Sequence, residues 1–399
     1  MLLSRFKKST SHDFVVIDPV FPQQEPLAFR NSEINEYFKL IKNFASYTMP
    51  PMLPGPEAWF SHGYGVDYEK FLENKQGYSR HYPENDKRIH YLDPQKAYNF
   101  KLAYSYFLAE TYTLLPYFEK QKIPFVFVLY PGGAFGINNP KIDAMLRKIF
   151  QSPYFRHVIV TQQITLDYLL DKKLCPKDKI TYIYGGFVQF KKSEVKPKQY
   201  YKQDKTTFDI CFVAAKYSEK GVDKGYDLFI EVAKKLCKVT DDARFHVVGG
   251  FDESDMDVGD IGSRITFYGY KKPDFLVDFY AKMDIFLAPN RPFKLYKGNF
   301  DGFPLGIDAG YCGVALFVAD ELRMNHQYEQ DKEIVIIPLE PKKIADTILA
   351  YYNDLAKLYA LTKAGQARTQ ELFDIDHQIS ERIKVFSKYV DLKTRRPNQ

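Results

Sequence analysis

In FDGFPLGIDAGYCG, residues 300–313, Asp301 and Asp308 stand on either side of a turn bearing Gly302, Pro304 and Gly306, and the chain then runs into the apolar stretch VALFVAD. The glycines and the proline let the backbone form a loop whose N–H groups meet a helix start, so GFPLGIDAGYC reads as a short helix with its positive end exposed. Such an end attracts anions. Asp308, read as one to two turns inside that helix, is poorly suited to hold a phosphate. It is well suited to accept hydrogen bonds from the vicinal hydroxyls of a ribose. One element would then hold both the phosphate and the sugar of a nucleotide.

The same residues, DGFPLGIDAGYCG, resemble the signature of the retaining glycosyltransferases of family 4, which have the two-domain GT-B fold. That signature is an acid, a turn containing Gly-Phe, a second acid, and small residues closing on Cys-Gly before a strand; Cys312 and Gly313 are in register with it. In the family both acids are usually glutamate and stand one residue further apart than Asp301 and Asp308 do here. The resemblance implies that Asp308 binds the nucleotide ribose and that Asp301 contacts the donor sugar. It places the turn Gly302, Phe303, Pro304 and Leu305 against the donor.

The family also sets two basic groups facing the donor diphosphate, after the first strand of its nucleotide-binding half. In FVAAKYSEKGVDKGYDLFIEVAKKL the counterparts are Lys216 and Lys224, with Lys220 a rival because SEKG also carries Lys-Gly. The leaving group in glycosyl transfer is a nucleoside diphosphate whose charge grows as the bond breaks. A fixed cation beside it stabilises that state more than the ground state. Taken alone, each of these lysines reads more readily as a solvated surface residue.

The resemblance spans about residues 205–340. It implies transfer of a sugar, with retention of configuration, from a nucleotide-diphosphate sugar to a glycan or lipid-linked acceptor, in bacterial surface polysaccharide or glycoconjugate synthesis. No metal cofactor is expected. Asp255-Met256-Asp257 has the spacing by which another glycosyltransferase architecture holds a divalent ion, but a solvated acidic loop explains it more simply. On the acceptor side, Gly132 and Gly133 of LYPGGAFG would admit a substrate closely or would only make a turn. A nucleotide-sugar epimerase of the same fold, or a non-catalytic nucleotide-sugar or glycan-binding protein, are the competing readings. Product analysis without acceptor discriminates the first, and donor turnover the second.

The elements that must position these groups are legible as an alternation. Ten short apolar runs, DFVVID, PFVFVLYP, HVIVT, KITYIYG, FDICFVA, RFHVVGG, ITFYG, DIFLAP, VALFVAD and EIVIIP, alternate with helical patterns, including AYSYFLAETYTLLPYFEKQ. This is the pattern of α/β folds with parallel sheets. It breaks at FVQFKKSEVKPKQYYKQDKTTF, where six lysines replace apolar periodicity. The expected organisation is therefore an acceptor-binding Rossmann-like domain over 1–190, a linker over 191–206 and a nucleotide-sugar-binding Rossmann-like domain over 207–374. A terminal helix over 375–393 would return to the first domain. TMPPMLPGPEAWFSHGYGVDYEKF, with Trp59, reads as a long loop that covers a substrate or is a surface excursion.

Bulk properties narrow the function classes. The 399-residue chain has 56 basic and 50 acidic residues, a net charge of +6 that is too small for a nucleic-acid-binding signature. Four scattered cysteines suggest neither a zinc site nor a disulfide framework. No window approaches the ~20 apolar residues needed to cross a bilayer, and a cytoplasmic location is expected. Lys7, Lys8, Arg395 and Arg396 would give peripheral contact with an anionic membrane surface. No HxxxH pair, GxSxG elbow or GxxxxGK[ST] loop is present.

Overall fold

All ten apolar runs form strands, and every strand pairs in parallel with its neighbours. Parallel pairing needs a crossover between successive strands, and the intervening helical segments supply it. The computed structural model describes residues 11–23, 28–51, 65–186, 188, 190–216, 218–292 and 306–395. The chain divides into two units, Met1–Phe187 with Asp376–Gln399, and Val188–Ile375.

The first unit contains β1 (Ser11–Asp18), α1 (Ala28–Leu40), β2 (Phe44–Thr48), α2 (Tyr68–Ser79), β3 (Ile89–Tyr91), β4 (Asn99–Tyr106) and α3 (Leu108–Gln121). It continues with β5 (Phe125–Leu129), α4 (Pro140–Gln151), β6 (Phe155–Val160), α5 (Gln163–Asp171) and β7 (Ile180–Tyr182). Its sheet order is β3-β2-β1-β4-β5-β6-β7, so the direction of winding reverses between β1 and β4. AYSYFLAETYTLLPYFEKQ is not one helix. Its Ala103–Tyr106 finish β4, where Tyr104 pairs with Val16 of β1 and Val126 of β5, and the helix starts only at Leu108. A central strand buried on both faces carries no alternation to betray it, and the tyrosines Tyr104 and Tyr106 are fully buried there.

The second unit contains β8 (Phe208–Val213), α6 (Tyr226–Cys237), β9 (Ala243–Val248), β10 (Ile265–Phe267), α7 (Pro273–Tyr280), β11 (Ile285–Ala288) and α8 (Ile307–Tyr311). Then follow β12 (Ala315–Val318), β13 (Val335–Ile336), α9 (Pro341–Tyr352) and α10 (Leu355–Leu372). Its order is β10-β9-β8-β11-β12-β13, with the reversal between β8 and β11. Phe212, Phe229, Phe245, Ile285 and Phe317 lie in its core.

The lysine-rich stretch expected as a linker belongs to this second unit. Tyr201 is buried, the Lys198 ammonium donates to the carbonyls of Tyr280 and Met283, and Lys205 bridges the carboxylates of Asp209 and Asp284. Burial pushes the Lys198 ammonium down to about 8, while His246 and Lys205 hold Asp209 down at about 2. Apolar periodicity fails in this stretch because two of its six lysines, Lys198 and Lys205, are anchored by ion pairs and carbonyls instead of by an apolar face. The other four, Lys191, Lys192, Lys196 and Lys202, are exposed.

The last helix, α11 (Ile375–Ser387), carries its residues from Asp376 onward in the first unit. Phe386 packs against Phe14 of β1 with ring centroids 4.5 Å apart. Arg382, fully buried beside it, donates to the Gln378 carbonyl at 3.0 Å and to the Tyr130 hydroxyl at 3.2 Å, with Glu33 at 3.4 Å.

Candidate functional site

Open α/β sheets bind ligands beyond the carboxyl ends of their strands, where the winding reverses. In the second unit that place is the end of β8 and β11. Beyond β8 come Ala214, Ala215 and Lys216, and beyond β11 the chain returns at Gly306 to enter α8. Between these segments lies a cavity of about 320 Å³ lined by Ala214, Ala215, Gly249, Tyr270, Gly306 and Asp308, among others. A smaller one of about 90 Å³ shares Val213, Ala214, Phe286 and Gly306 with it and adds Lys224 and Asn290. The two spaces adjoin. They bring Asp308 and Lys224 to one place from opposite sides of the reversal.

Backbone conformation opens this place. Gly306 has φ +73°, and a Cβ there would lie 2.7 Å from the Phe286 ring. Gly249 has φ +132°, and a Cβ there would lie 2.0 Å from the Ala214 carbonyl oxygen. Helix α8 is only five residues long and Asp308 is its second, so the carboxylate is not one to two turns inside as expected. A carboxylate in the first turn already answers the helix's positive end. Phosphate recognition therefore falls to other groups.

Lys224 is the group best placed for it. It is buried, and desolvation pushes its ammonium down to about 8, against a smaller upward pull from Asp223. It ends a 3₁₀ turn (Glu219–Lys224) closed by Gly225 at φ +73°. A Cβ at Gly225 would lie 2.0 Å from the Pro289 carbonyl oxygen, just beyond β11. Gly225→Ala is therefore expected to lower stability by ~1–3 kcal/mol, read as a fall in Tm. Turnover should fall further than the stability loss explains, because the substitution pushes Lys224 away from β11.

The other sequence-predicted residues are placed as follows. The Lys216 ammonium is held by the Asp255 carboxylate, and its backbone N–H donates to the Tyr270 hydroxyl at 3.3 Å. Lys220 is exposed at φ +57° and lines neither cavity. Asp301, Gly302, Phe303, Pro304 and Leu305 lie outside the described residues. Gly132 and Gly133 follow β5 in the first unit, at φ +83° and +54°. A Cβ at Gly133 would lie 2.5 Å from that of Phe107, so this glycine is required by packing against β4's end.

The Asp255-Met256-Asp257 acids are committed within the loop, Asp255 to Lys216 and Asp257 to the Gly259 N–H at 2.9 Å. Among the described residues no group of three metal-ligating side chains occurs. His246 bonds Asp209 at 2.7 Å and Tyr268 at 3.0 Å, a structural role.

Two lining residues were not singled out from the sequence. Tyr270 is 67% exposed at the cavity mouth, its ring so close over Gly250 that a Cβ there would meet it at 2.9 Å. Asn290 is buried beside Lys224. Neither belongs to a motif; only their positions after β10 and β11 could have pointed to them.

Residues 207–354 match the family profile described as glycosyl transferases group 1. The second unit carries a group 1 glycosyltransferase domain. No curated protein matches the chain in sequence. Among solved structures, HepE of Anabaena in complex with UDP is similar over 94% of this chain and 100% of its own, with TM-score 0.66 and 13% identity. Sucrose-phosphate synthase of Thermosynechococcus elongatus covers 94% and 99%, at TM-score 0.62 and 13% identity. The α,α-trehalose 6-phosphate synthase of Burkholderia multivorans covers 95% and 99%, at TM-score 0.61 and 10% identity. The fold of this glycosyltransferase is GT-B: two Rossmann-like units with parallel sheets of seven and six strands. Among its described residues, no helix is long and apolar enough to cross a membrane.

Proposed function

We propose that the protein is a retaining glycosyltransferase moving a sugar from a nucleotide-diphosphate sugar to a glycan or lipid-linked acceptor in bacterial surface polysaccharide or glycoconjugate synthesis. The observation that carries this reading is the meeting of Asp308 and Lys224 at the carboxyl ends of β8 and β11. The carboxylate accepts the ribose hydroxyls, the buried ammonium faces the diphosphate, and the small residues Ala214 and Ala215 leave room between them. HepE, similar in fold, has been solved with UDP and with UDP-glucose, which supports a nucleotide sugar as donor here.

In this mechanism charge builds on the leaving diphosphate, Lys224 stabilises it, and the leaving phosphate takes the acceptor's proton on the same face. No protein nucleophile is used. Lysine rather than a divalent ion neutralises the diphosphate, consistent with acids of the Asp255 loop already being engaged. The enzyme would work in the cytoplasm, with Lys7, Lys8, Arg395 and Arg396 favouring the inner membrane surface.

The test is to screen nucleotide sugars for release of the nucleoside diphosphate, with and without EDTA, and to assign the product anomer by NMR. Retention and EDTA resistance are expected; inversion or full loss with EDTA refutes the mechanism. Asp308→Asn should weaken UDP binding about 10- to 100-fold by calorimetry, the size of a lost hydrogen bond to a charged group. Unchanged affinity removes Asp308 from the ribose.

A further inference from the structure

The first unit also has a groove of about 670 Å³, which does not belong to the sheet's reversal between β1 and β4. It lies at the opposite end of that side of the sheet, along edge strand β3 and helix α2. From β3 to β5, whose loop carries Gly132 and Gly133, is four strand spacings, about 19 Å at the ordinary interstrand distance.

The groove wall is aromatic and unusually open. Tyr68 is 55% exposed and Leu72 46%, one helical turn apart on α2 and so on one face. Tyr68 stands edge-on to Tyr91, with centroids 5.2 Å apart, so the two rings make a corner. Tyr98 forms part of the far wall, its hydroxyl accepting the Asp93 N–H at 3.1 Å. Hydrogen-bonding groups are interleaved with these rings: the Asp93 carboxylate and the His90 imidazole line the same groove. Burial keeps His90 neutral, down at about 4.

Tyrosine faces accept the C–H faces of a pyranose, while a carboxylate and a neutral imidazole take its hydroxyls. An acyl chain would gain nothing from Asp93, His90 and the lysines Lys75 and Lys96 that line the groove with them, Lys96 paired with the Asp93 carboxylate at 3.3 Å. The volume falls within the ~300–1,000 Å³ of small-ligand sites.

We propose that this groove is a saccharide-binding site for sugar residues of the acceptor chain. It is separate from the place where the acceptor hydroxyl reacts. The proposal rests on the transferase reading above, and gives the acceptor a class: an oligosaccharide long enough to reach from β3 towards the loop after β5.

The full-length protein is titrated by calorimetry with maltoheptaose, cellohexaose, laminarihexaose and chitohexaose, and in parallel with UDP. At least one oligosaccharide should bind. Tyr68→Ala should weaken it about tenfold and Tyr68→Trp should preserve it, with UDP affinity the same in all three proteins. The exposure of Tyr68 makes both variants compatible with folding, checked by Tm. Binding of no oligosaccharide, binding indifferent to Tyr68→Ala, or binding of phospholipid vesicles or an extended peptide in the groove instead overturns the proposal. If UDP binding is intact in those cases, only the groove assignment falls; absence of UDP binding would strike the transferase reading itself.

Discussion

Replacing Lys224 by Met should leave the protein almost inactive. Its ammonium is held at about 8 by burial, against an ordinary lysine value of 10.5. Between pH 8 and 10.5 the unfolded chain binds a proton that the native state does not, so stability rises with pH through that window. Below about pH 8 the native state carries a desolvated charge at a cost of roughly 3 kcal/mol. Turnover should fall about 10²–10³-fold, the typical effect of losing one group that stabilises developing charge.

The same group predicts a pH profile. kcat/KM for the donor, which reports the free enzyme, should decline as pH rises through about 8 and the ammonium loses its proton. A bound diphosphate favours the charged form, so the corresponding limb of kcat should lie at higher pH. Lys224→Arg should remove the limb altogether, since a guanidinium does not deprotonate in this range. A profile flat from pH 7 to 10 would separate Lys224 from the diphosphate.

How far the sequence reveals such a site depends on what each residue's type can signal. Glycines before a helix, a Lys-Gly pair and an acid following a turn mark positions where the backbone is constrained. Asp308 can be singled out on such grounds, whereas only the resemblance to the glycosyltransferase family names Lys224, since alone it reads as a solvated lysine. Lys216, from the same kind of pattern, turns out with its ammonium on Asp255, 39 residues away in sequence. No local spacing reveals such a pairing.

Apolar runs gave ten of the strands because a buried parallel strand is apolar on both faces. β2 and β3 are short, and β4 carries tyrosines that suit a helix pattern equally well. Lys198 and Lys205 resemble solvent-loving residues yet are tied to carbonyls and carboxylates, and this is why the stretch 191–206 reads as a linker. A cation paired by a distant partner looks the same in sequence as one in water.

Arg382 is the strongest instance, and its removal should be the most damaging single change in the first unit. The sequence of the terminal helix suggests an apolar stripe through Ile379, Ile383, Phe386 and Val390. In the structure Gln378, Ile379, Arg382, Val385 and Phe386 face inward, a helical stripe with an arginine at its centre. Its guanidinium lies 3.4 Å from Glu33, whose carboxylate accepts the hydroxyls of Tyr37 at 2.6 Å and Tyr104 at 3.1 Å. Burial raises Glu33, and Arg382 is the main influence pulling it back.

Removing one partner of a buried pair typically costs ~3–5 kcal/mol because the other is left uncompensated. Arg382→Met should cost about that much in the unfolding of the first unit, followed by urea titration with tryptophan-independent circular dichroism. Glu33 would then escape its isolated charge only by taking up a proton. The loss should therefore shrink as pH is lowered from 8 to 5. The double variant Arg382→Met with Glu33→Gln should recover most of the loss, since neither charge remains to be desolvated. A double variant as unstable as the sum of the two single ones would mean that the pair is not coupled. In that case α11 would owe its hold on β1 to the packing of Phe386 on Phe14.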